Sequence, residues 1–129
     1  MPKKVQIKSA VAGVTANNRR ALAAVTPAQL PFDAPTQKGD GVLLGRNEFM
    51  HLLFQRTSSD ATCVYYVQVW WYSEISARWH KGEIVSVNND DIVTLEVQGL
   101  DRIYLQPTSA VTTDPASTLS AWIGLVVPV

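Results

Sequence analysis

Cysteine and histidine are scarce in this sequence, which has one Cys and two His among its 129 residues. A single cysteine excludes an intramolecular disulfide and fits synthesis in a reducing compartment. Cys63 stands among β-branched and aromatic neighbours, so we interpret it as a small buried apolar side chain rather than a nucleophile. One Cys and the separated His51 and His80 do not make the ligand cluster that a metal site needs. We therefore expect no metal, no cofactor and no enzymatic activity.

Long apolar runs are also absent. Every apolar stretch is much shorter than the roughly 20 residues that a membrane-spanning helix needs. The first four residues include Lys3 and Lys4, but no apolar segment follows them, so the sequence predicts no secretory signal and no membrane association. With 47% hydrophobic and only 17% charged residues, the composition excludes wholesale disorder and suits one globular domain.

The net charge is zero, but the charges are unevenly placed. Residues 1–40 carry six basic and two acidic side chains, whereas the remainder carries five basic and nine acidic ones. A basic N-terminal segment on an acidic body suits docking onto other copies or neighbouring subunits. A solvated tail without a partner is the alternative interpretation.

The N-terminal part lacks the alternation of a strand. Four of the seven prolines lie before Gly39, and proline both lacks an amide donor and favours an extended predecessor, so residues 27–35 are predicted to be irregular. A short helix over about residues 18–25 is compatible with its Asn, Arg and Ala content. We assign residues 1–39 to an extended N-terminal arm that is either disordered or held by partners.

From residue 40 onward, β-prone runs alternate with turn-forming residues at the spacing of an antiparallel sheet. The clearest turn is residues 88–91, where four short polar side chains follow one another. We predict an all-β fold, an antiparallel β-sandwich or jelly-roll-like body over residues 40–129. The predicted strands cover residues 42–44, 48–55, 62–72, 83–87, 92–97, 102–106 (stopped by Pro107) and 118–127.

The stretch of residues 62–72 is rich in aromatic side chains and predicts the longest strand. Strand alternation places Tyr65, Val67 and Trp71 on one face together with Cys63 and Val69. The other face holds Val64, Tyr66, Gln68, Trp70 and Tyr72, of which only Gln68 carries an amide. Two interpretations of this second face stay open: a loop or the arm covers it, or it contacts a partner.

Exposed Trp and Tyr side chains also stack on bases and on sugars. Around the aromatic strand the acidic Glu74 and Glu83 cancel the basic Arg78 and Lys81, which argues against a nucleic acid partner. Sugar binding needs no net charge, so a glycan is a possible partner. A carbohydrate-binding β-sandwich module that uses Trp and Tyr stacking is therefore the alternative function.

The layout of the whole chain carries a resemblance. An irregular basic arm rich in Ala, Thr, Pro and Asn, a compact β-body and the apolar terminus 122–129 resemble the small virion proteins of tailed bacteriophages, such as capsid decoration (cement) proteins and head or tail connector components. The resemblance implies a virion structural protein, assembled in the host cytoplasm, that binds copies of itself, the major capsid protein or other virion proteins. We expect its protein interface to include Arg19, Arg20, Phe32, Tyr66, Trp70, Tyr72, Trp79 and Trp122.

The two faces of the aromatic strand predict opposite effects for two neighbouring substitutions. Trp71→Ala should lower the free energy of unfolding by about 3–5 kcal/mol, because its face carries Cys63 and Val67 and lines the interior. Trp70→Ala should weaken association with a partner and barely change the melting temperature. Denaturant titration of both variants measures the contrast, and an equally large loss of stability in both would show that both faces are buried within the monomer.

Overall fold

The computed structural model of the chain describes residues 3–9, 22–44, 49–89, 91–96 and 100–128. These residues form nine β-strands and two 3-10 helices, Pro27–Gln29 and Lys38–Asp40. Within these ranges, no helix has the length and apolarity needed to cross a membrane. The strands are β1 (Lys3–Ser9), β2 (Leu22–Val25), β3 (Val42–Leu43), β4 (Phe49–Thr57), β5 (Val64–Ser73), β6 (Arg78–Val87), β7 (Asp91–Glu96), β8 (Arg102–Val111) and β9 (Thr118–Pro128).

The strands form two sheets, and the predicted antiparallel β-sandwich is confirmed. One sheet has the order β1-β9-β4-β7, with β2 also paired to β9, and the other has the order β3-β8-β5-β6. Every pairing between these strands is antiparallel. β4 pairs with residues 118–125 of β9, so β1 and β2 share the opposite edge of β9.

The core lies between the two sheets and follows the alternation along β5. Tyr65, Val67 and Val69 are fully buried, and Trp71 is 9% exposed. These side chains join Met50, Leu52 and Phe54 of β4, among others, in one buried apolar cluster. Burial of apolar surface at roughly 25 cal/mol per Å² makes this cluster the main source of stability.

Pro107 does not end a strand, contrary to the prediction that it stops the strand at residue 106. β8 continues to Val111, and its pairing with β5 shifts in register between Tyr66 and Val67, where Pro107 lies opposite Val67. A bulge tolerates proline because the missing amide hydrogen would not have joined the regular ladder there.

The short helix that the sequence allowed over residues 18–25 does not form where the structure describes this segment. Leu22–Val25 form β2, which pairs with Leu119 and Ala121 of β9, and residues 18–21 lie outside the described ranges. Two turns of isolated helix are marginal in water, whereas the edge of β9 offers backbone partners. In the next part of the predicted arm, Pro27–Gln29 form a 3-10 helix, whereas residues 30–35 are irregular as expected and include Phe32 of the core cluster.

Two aspartates join the loops at one end of the sandwich. Asp60, in the β4–β5 loop, accepts hydrogen bonds from the backbone N–H groups of Thr62 at 2.9 Å and Thr113 at 2.8 Å. Asp114, in the β8–β9 loop, accepts from the N–H groups of Ser59 and Ala116, both at 2.9 Å. Each loop therefore supplies a carboxylate to the backbone of the other. We call this arrangement the aspartate lock.

Hydrogen bonds to the charged form lower the pKa values of both carboxyls. The hydroxyl of Thr62 and the amides of Thr113 and Thr62 hold the pKa of Asp60 well below its ordinary value. The amides of Ser59 and Ala116 act in the same direction on the pKa of Asp114. A carboxyl whose pKa is lower in the folded state stabilises the fold above its unfolded pKa of about 4, and this contribution disappears as the pH falls toward the folded pKa.

The aspartate lock predicts acid sensitivity. The free energy of unfolding should fall as the pH drops below about 4, since protonation of Asp60 and Asp114 removes charge-assisted hydrogen bonds. Asp60→Asn should flatten this acid slope, and Asp33→Asn, an exposed position outside the lock, should not. Denaturant titrations between about pH 2 and pH 7 give the slopes. Parallel acid slopes for wild type and Asp60→Asn would show that the lock does not set the acid stability.

Candidate binding surfaces

The side of the four-stranded sheet that faces away from the core carries polar and aromatic side chains, and we call it the outer face. β5 places Gln68 beside Gln106 of β8, and Trp70 beside Tyr104 of β8 and Lys81 of β6. The other side chains on this face include Tyr66, Tyr72, Trp79, Ile84 and Thr108.

Residues 32–41, which we call the strap, cover one half of the outer face. Three side chains of the sheet donate hydrogen bonds to strap carbonyls: Trp79 Nε1 to Gln37 O at 3.0 Å, Tyr104 Oη to Asp33 O at 2.7 Å, and Gln106 Nε2 to Phe32 O at 2.8 Å. The backbone N–H of Phe32 also donates to Pro107 O at 2.9 Å. The strap is therefore held mainly through its backbone.

The aromatic rings under the strap pack edge to face. The ring centroids of Tyr72 and Trp79 are 5.4 Å apart, and those of Trp79 and Tyr104 are 6.0 Å apart. Lys38 of the strap forms an ion pair with Glu74 and lies over the Tyr72 ring. As a result Tyr72 is 7% and Tyr104 only 1% exposed. The sequence left two interpretations of this face open, cover by the chain itself or contact with a partner. On this half of the face, the strap covers it.

The residues predicted for a protein interface are only partly brought together. Tyr66, Trp70, Tyr72 and Trp79 share the outer face, where Tyr72 is buried under the strap and Tyr66 and Trp70 are half-buried. Phe32 belongs to the core cluster, and half-buried Trp122 lies on β9 in the other sheet. Arg19 and Arg20 lie outside the described residues.

The uncovered half of the outer face contains a groove of about 330 Å³ beside Trp70. It is lined by Ala34, Gln68, Trp70, Lys81, Gln106 and Thr108. The indole N–H of Trp70 donates to Gln106 Oε1 at 2.8 Å, which fixes the plane of the ring. Lys81 Nζ lies 5.6 Å from the centroid of the same ring. We call this site the Trp70 groove.

Most hydrogen-bond donors around the Trp70 groove are already used within the chain. Gln68 Nε2 lies 2.9 Å from the carbonyl oxygens of Val69 and Gly82 and 3.2 Å from that of Glu83, where the β5–β6 register shifts, so backbone carbonyls take up its two hydrogens. Thr108 Oγ1 donates to Tyr66 O at 3.2 Å. Because an amide nitrogen has two hydrogens and a hydroxyl one, these groups offer a ligand mainly acceptor oxygens.

Sequence reasoning found Trp70 and Gln68 but missed Gln106 and Thr108. Both lie on β8: Gln106 is within the predicted strand 102–106, and Thr108 is in the continuation past Pro107 that was not predicted. Their proximity to Trp70 depends on β5–β8 pairing, and no local pattern specifies which strands become neighbours.

A second surface is the edge of β9 that carries β1 and β2. The last residue of β1, Ser9, pairs with Trp122, and the first residue of β2, Leu22, pairs with the adjacent Ala121. The twelve residues 10–21, which lie outside the described ranges, thus connect two positions one strand step apart. Fully extended, such a connection would reach about 40 Å.

The remaining residues considered for chemistry are packed or paired within the chain. Cys63 is fully buried; its desolvation raises the thiol pKa, but hydrogen bonding by Thr112, Ser117, Arg56 and Ser58 outweighs burial and lowers it. His51 Nδ1 lies 2.9 Å from Thr94 Oγ1, and His80 Nε2 lies 2.7 Å from Ser76 Oγ. In the part of the chain that the structure describes, no three Cys, His, Asp or Glu side chains group as metal ligands.

Comparisons of the chain with protein-family models, with curated proteins and with solved structures give no match. The β-sandwich architecture alone does not specify a function, because unrelated proteins with many functions share it. The edge of β9 and the Trp70 groove are the two surfaces of the described residues that bear on function.

Substitution of Gly41 tests how closely the strap packs on the sheet. A Cβ at this position would lie 2.8 Å from the carbonyl oxygen of Ile103 and would also meet the Trp79 ring. Gly41→Ala should therefore displace the strap and lower the free energy of unfolding by about 1–3 kcal/mol. Gly39→Ala is the matched control, because a Cβ there has no atom within 4 Å, and its effect should stay within about 0.5 kcal/mol. Thermal unfolding compares the two, and similar melting temperatures would mean that the strap tolerates displacement at Gly41.

Proposed function

We propose that this chain is a non-enzymatic structural protein that assembles with copies of itself by exchanging β1. In this proposal β1 leaves the β9 of its own chain and pairs with the β9 of a neighbouring copy. The observation that carries it is the twelve-residue connection between Ser9 and Leu22, whose partners on β9 are adjacent. Such a length is unnecessary for pairing within one chain and sufficient to reach a neighbour.

The pairing itself favours exchange. In the described part of the chain, β9 is the strand that pairs with β1, through seven residue pairs from Lys3↔Pro128 to Ser9↔Trp122. A second copy offers the same seven pairs in the same register, so exchange preserves the backbone hydrogen bonds and costs mainly the entropy of association. The net charge supports it as well, since the N-terminal residues are basic and the remainder of the chain is acidic.

We place this assembly in a virion. The support is the layout already described, a basic N-terminal segment, a compact β-sandwich and an apolar C-terminal strand, which resembles small structural proteins of tailed bacteriophages. In such a particle, exchanged strands would link neighbouring copies through main-chain hydrogen bonds, which give strength without requiring a particular side chain at each position.

A mixing experiment tests strand exchange directly. Lys4→Cys is introduced into one batch of protein and Val127→Cys into another, because Lys4 and Val127 are partners in the β1–β9 register. Antiparallel partners lie about 4.5–5.5 Å apart at Cα, within the range of a disulfide. After mixing and mild oxidation, a disulfide-linked dimer should appear on a non-reducing gel. Native Cys63 is fully buried and stays in both batches.

The controls separate exchange from chance contact. Lys4→Cys mixed with Val126→Cys should cross-link far less, because Val126 pairs with Val5 instead. A single chain that carries both Lys4→Cys and Val127→Cys, oxidised at high dilution before any assembly, should lock β1 onto its own β9 and then sediment as a monomer at concentrations where wild type assembles. Mixed chains that stay unlinked, together with a wild-type protein that is monomeric at every concentration, would overturn the proposal.

A further inference from the structure

We propose that the Trp70 groove is a binding site for a carboxylated sugar, with the pyranose ring on the indole of Trp70 and the carboxylate against Lys81. This function is separate from strand exchange, because the groove lies on the face of the four-stranded sheet and β1 lies at the edge of the other sheet. Shape, hydrogen-bonding capacity and charge each support the proposal.

The indole of Trp70 is held in place for stacking before a ligand binds. Its N–H is satisfied by Gln106 at 2.8 Å, so the ring is oriented before any ligand arrives and its polar atom needs no further partner. Trp70 is half-buried, and the groove beside it, at about 330 Å³, is of a size that accommodates sugar residues. The C–H face of a pyranose packs on such a ring as another apolar surface does, and a fixed ring loses little entropy on binding.

The hydrogen-bonding atoms that the groove offers to a ligand are suited to hydroxyl groups. The N–H groups of Gln68 are taken up by the backbone carbonyls of Val69, Gly82 and Glu83, and the hydroxyl of Thr108 donates to the backbone carbonyl of Tyr66. Apart from the ammonium group of Lys81, these side chains offer a ligand mainly acceptor oxygens, and sugar hydroxyls are donors that satisfy acceptors.

An extended peptide fits this half of the face less well. Peptide carbonyls need donors; Trp79, Tyr104 and Gln106 already donate to the strap carbonyls, and Gln68 and Thr108 in the groove donate to carbonyls of the sheet itself. The covered half therefore has the chemistry of a peptide site that the chain itself fills, and the open half has the chemistry of a sugar site.

Lys81 selects an acidic sugar over a neutral one. It is the charged side chain that lines the groove, and its ammonium group lies over the Trp70 ring, 5.6 Å from the centroid, so the sugar would share that ring with the Lys81 side chain. The nearby carboxylate of Glu83 accepts a hydrogen bond from Trp71 Nε1 at 3.2 Å, and Trp71 belongs to the core cluster. Lys81 is thus left to pair with a ligand carboxylate, such as that of a uronic acid.

Isothermal titration with two oligosaccharides of the same length tests the site. The probes are tetragalacturonate, which is acidic, and maltotetraose, which is neutral. Tetragalacturonate should bind wild-type protein more tightly, and Lys81→Gln should reduce its affinity about tenfold while leaving that of maltotetraose unchanged. Lys81 is exposed, so this variant is expected to fold normally.

Trp70→Ala should abolish measurable binding of both sugars, and Trp122→Ala, on the other sheet, should change neither. Circular dichroism checks that each variant is folded. The proposal is overturned if neither sugar binds, if tetragalacturonate binding survives Trp70→Ala, or if the Lys81→Gln variant retains full affinity for it. A proline-containing peptide that binds where both sugars fail would show a peptide site instead. Cross-linking between copies is scored separately, so failure here does not affect the strand-exchange test.

Discussion

The side-chain amide of Gln106 lies between the strap and Trp70, and it controls both halves of the outer face. Its nitrogen donates to the carbonyl of Phe32, which seats the start of the strap, and its oxygen accepts from the indole of Trp70. The half that the chain covers and the half that it leaves open are therefore joined through one amide group. Because both bonds are partly buried, losing either leaves a polar group without its partner, which costs more than the bond itself contributes.

The two surfaces proposed to bind partners are physically independent. β9 provides an edge, where recognition occurs through backbone groups, whereas β5, β6 and β8 provide a face, where recognition occurs through side chains. An assembly built along the edge would leave the Trp70 groove of each copy accessible. Weak sugar sites repeated in this way bind a polymeric glycan with far greater avidity than one site, since later contacts are intramolecular.

Short-range patterns predicted the β-sandwich and the buried side of β5, since alternation places Val67 and Trp71 on one face regardless of which strands pack against them. Contacts between distant residues could not be predicted in this way. The strap is held by residues 42 to 74 positions away in sequence, and nothing in residues 32–41 indicates those partners. Residues 22–25 have good helix formers, but the edge of β9 overrides that preference, and Pro107 stays in a strand because a bulge accommodates it.

The chain also has a natural insertion point between Ser9 and Leu22, because these two residues pair with adjacent residues of β9, Trp122 and Ala121. In terms of the sheet, β1 and β2 follow one another along the same edge of β9, and residues 10–21 are the part of the sequence between them. A sequence placed there changes no pairing in either sheet, because the strands on both sides are anchored to consecutive residues of β9. The sandwich can therefore present a foreign peptide between two anchored strands, and a lattice of such molecules would display that peptide at regular intervals.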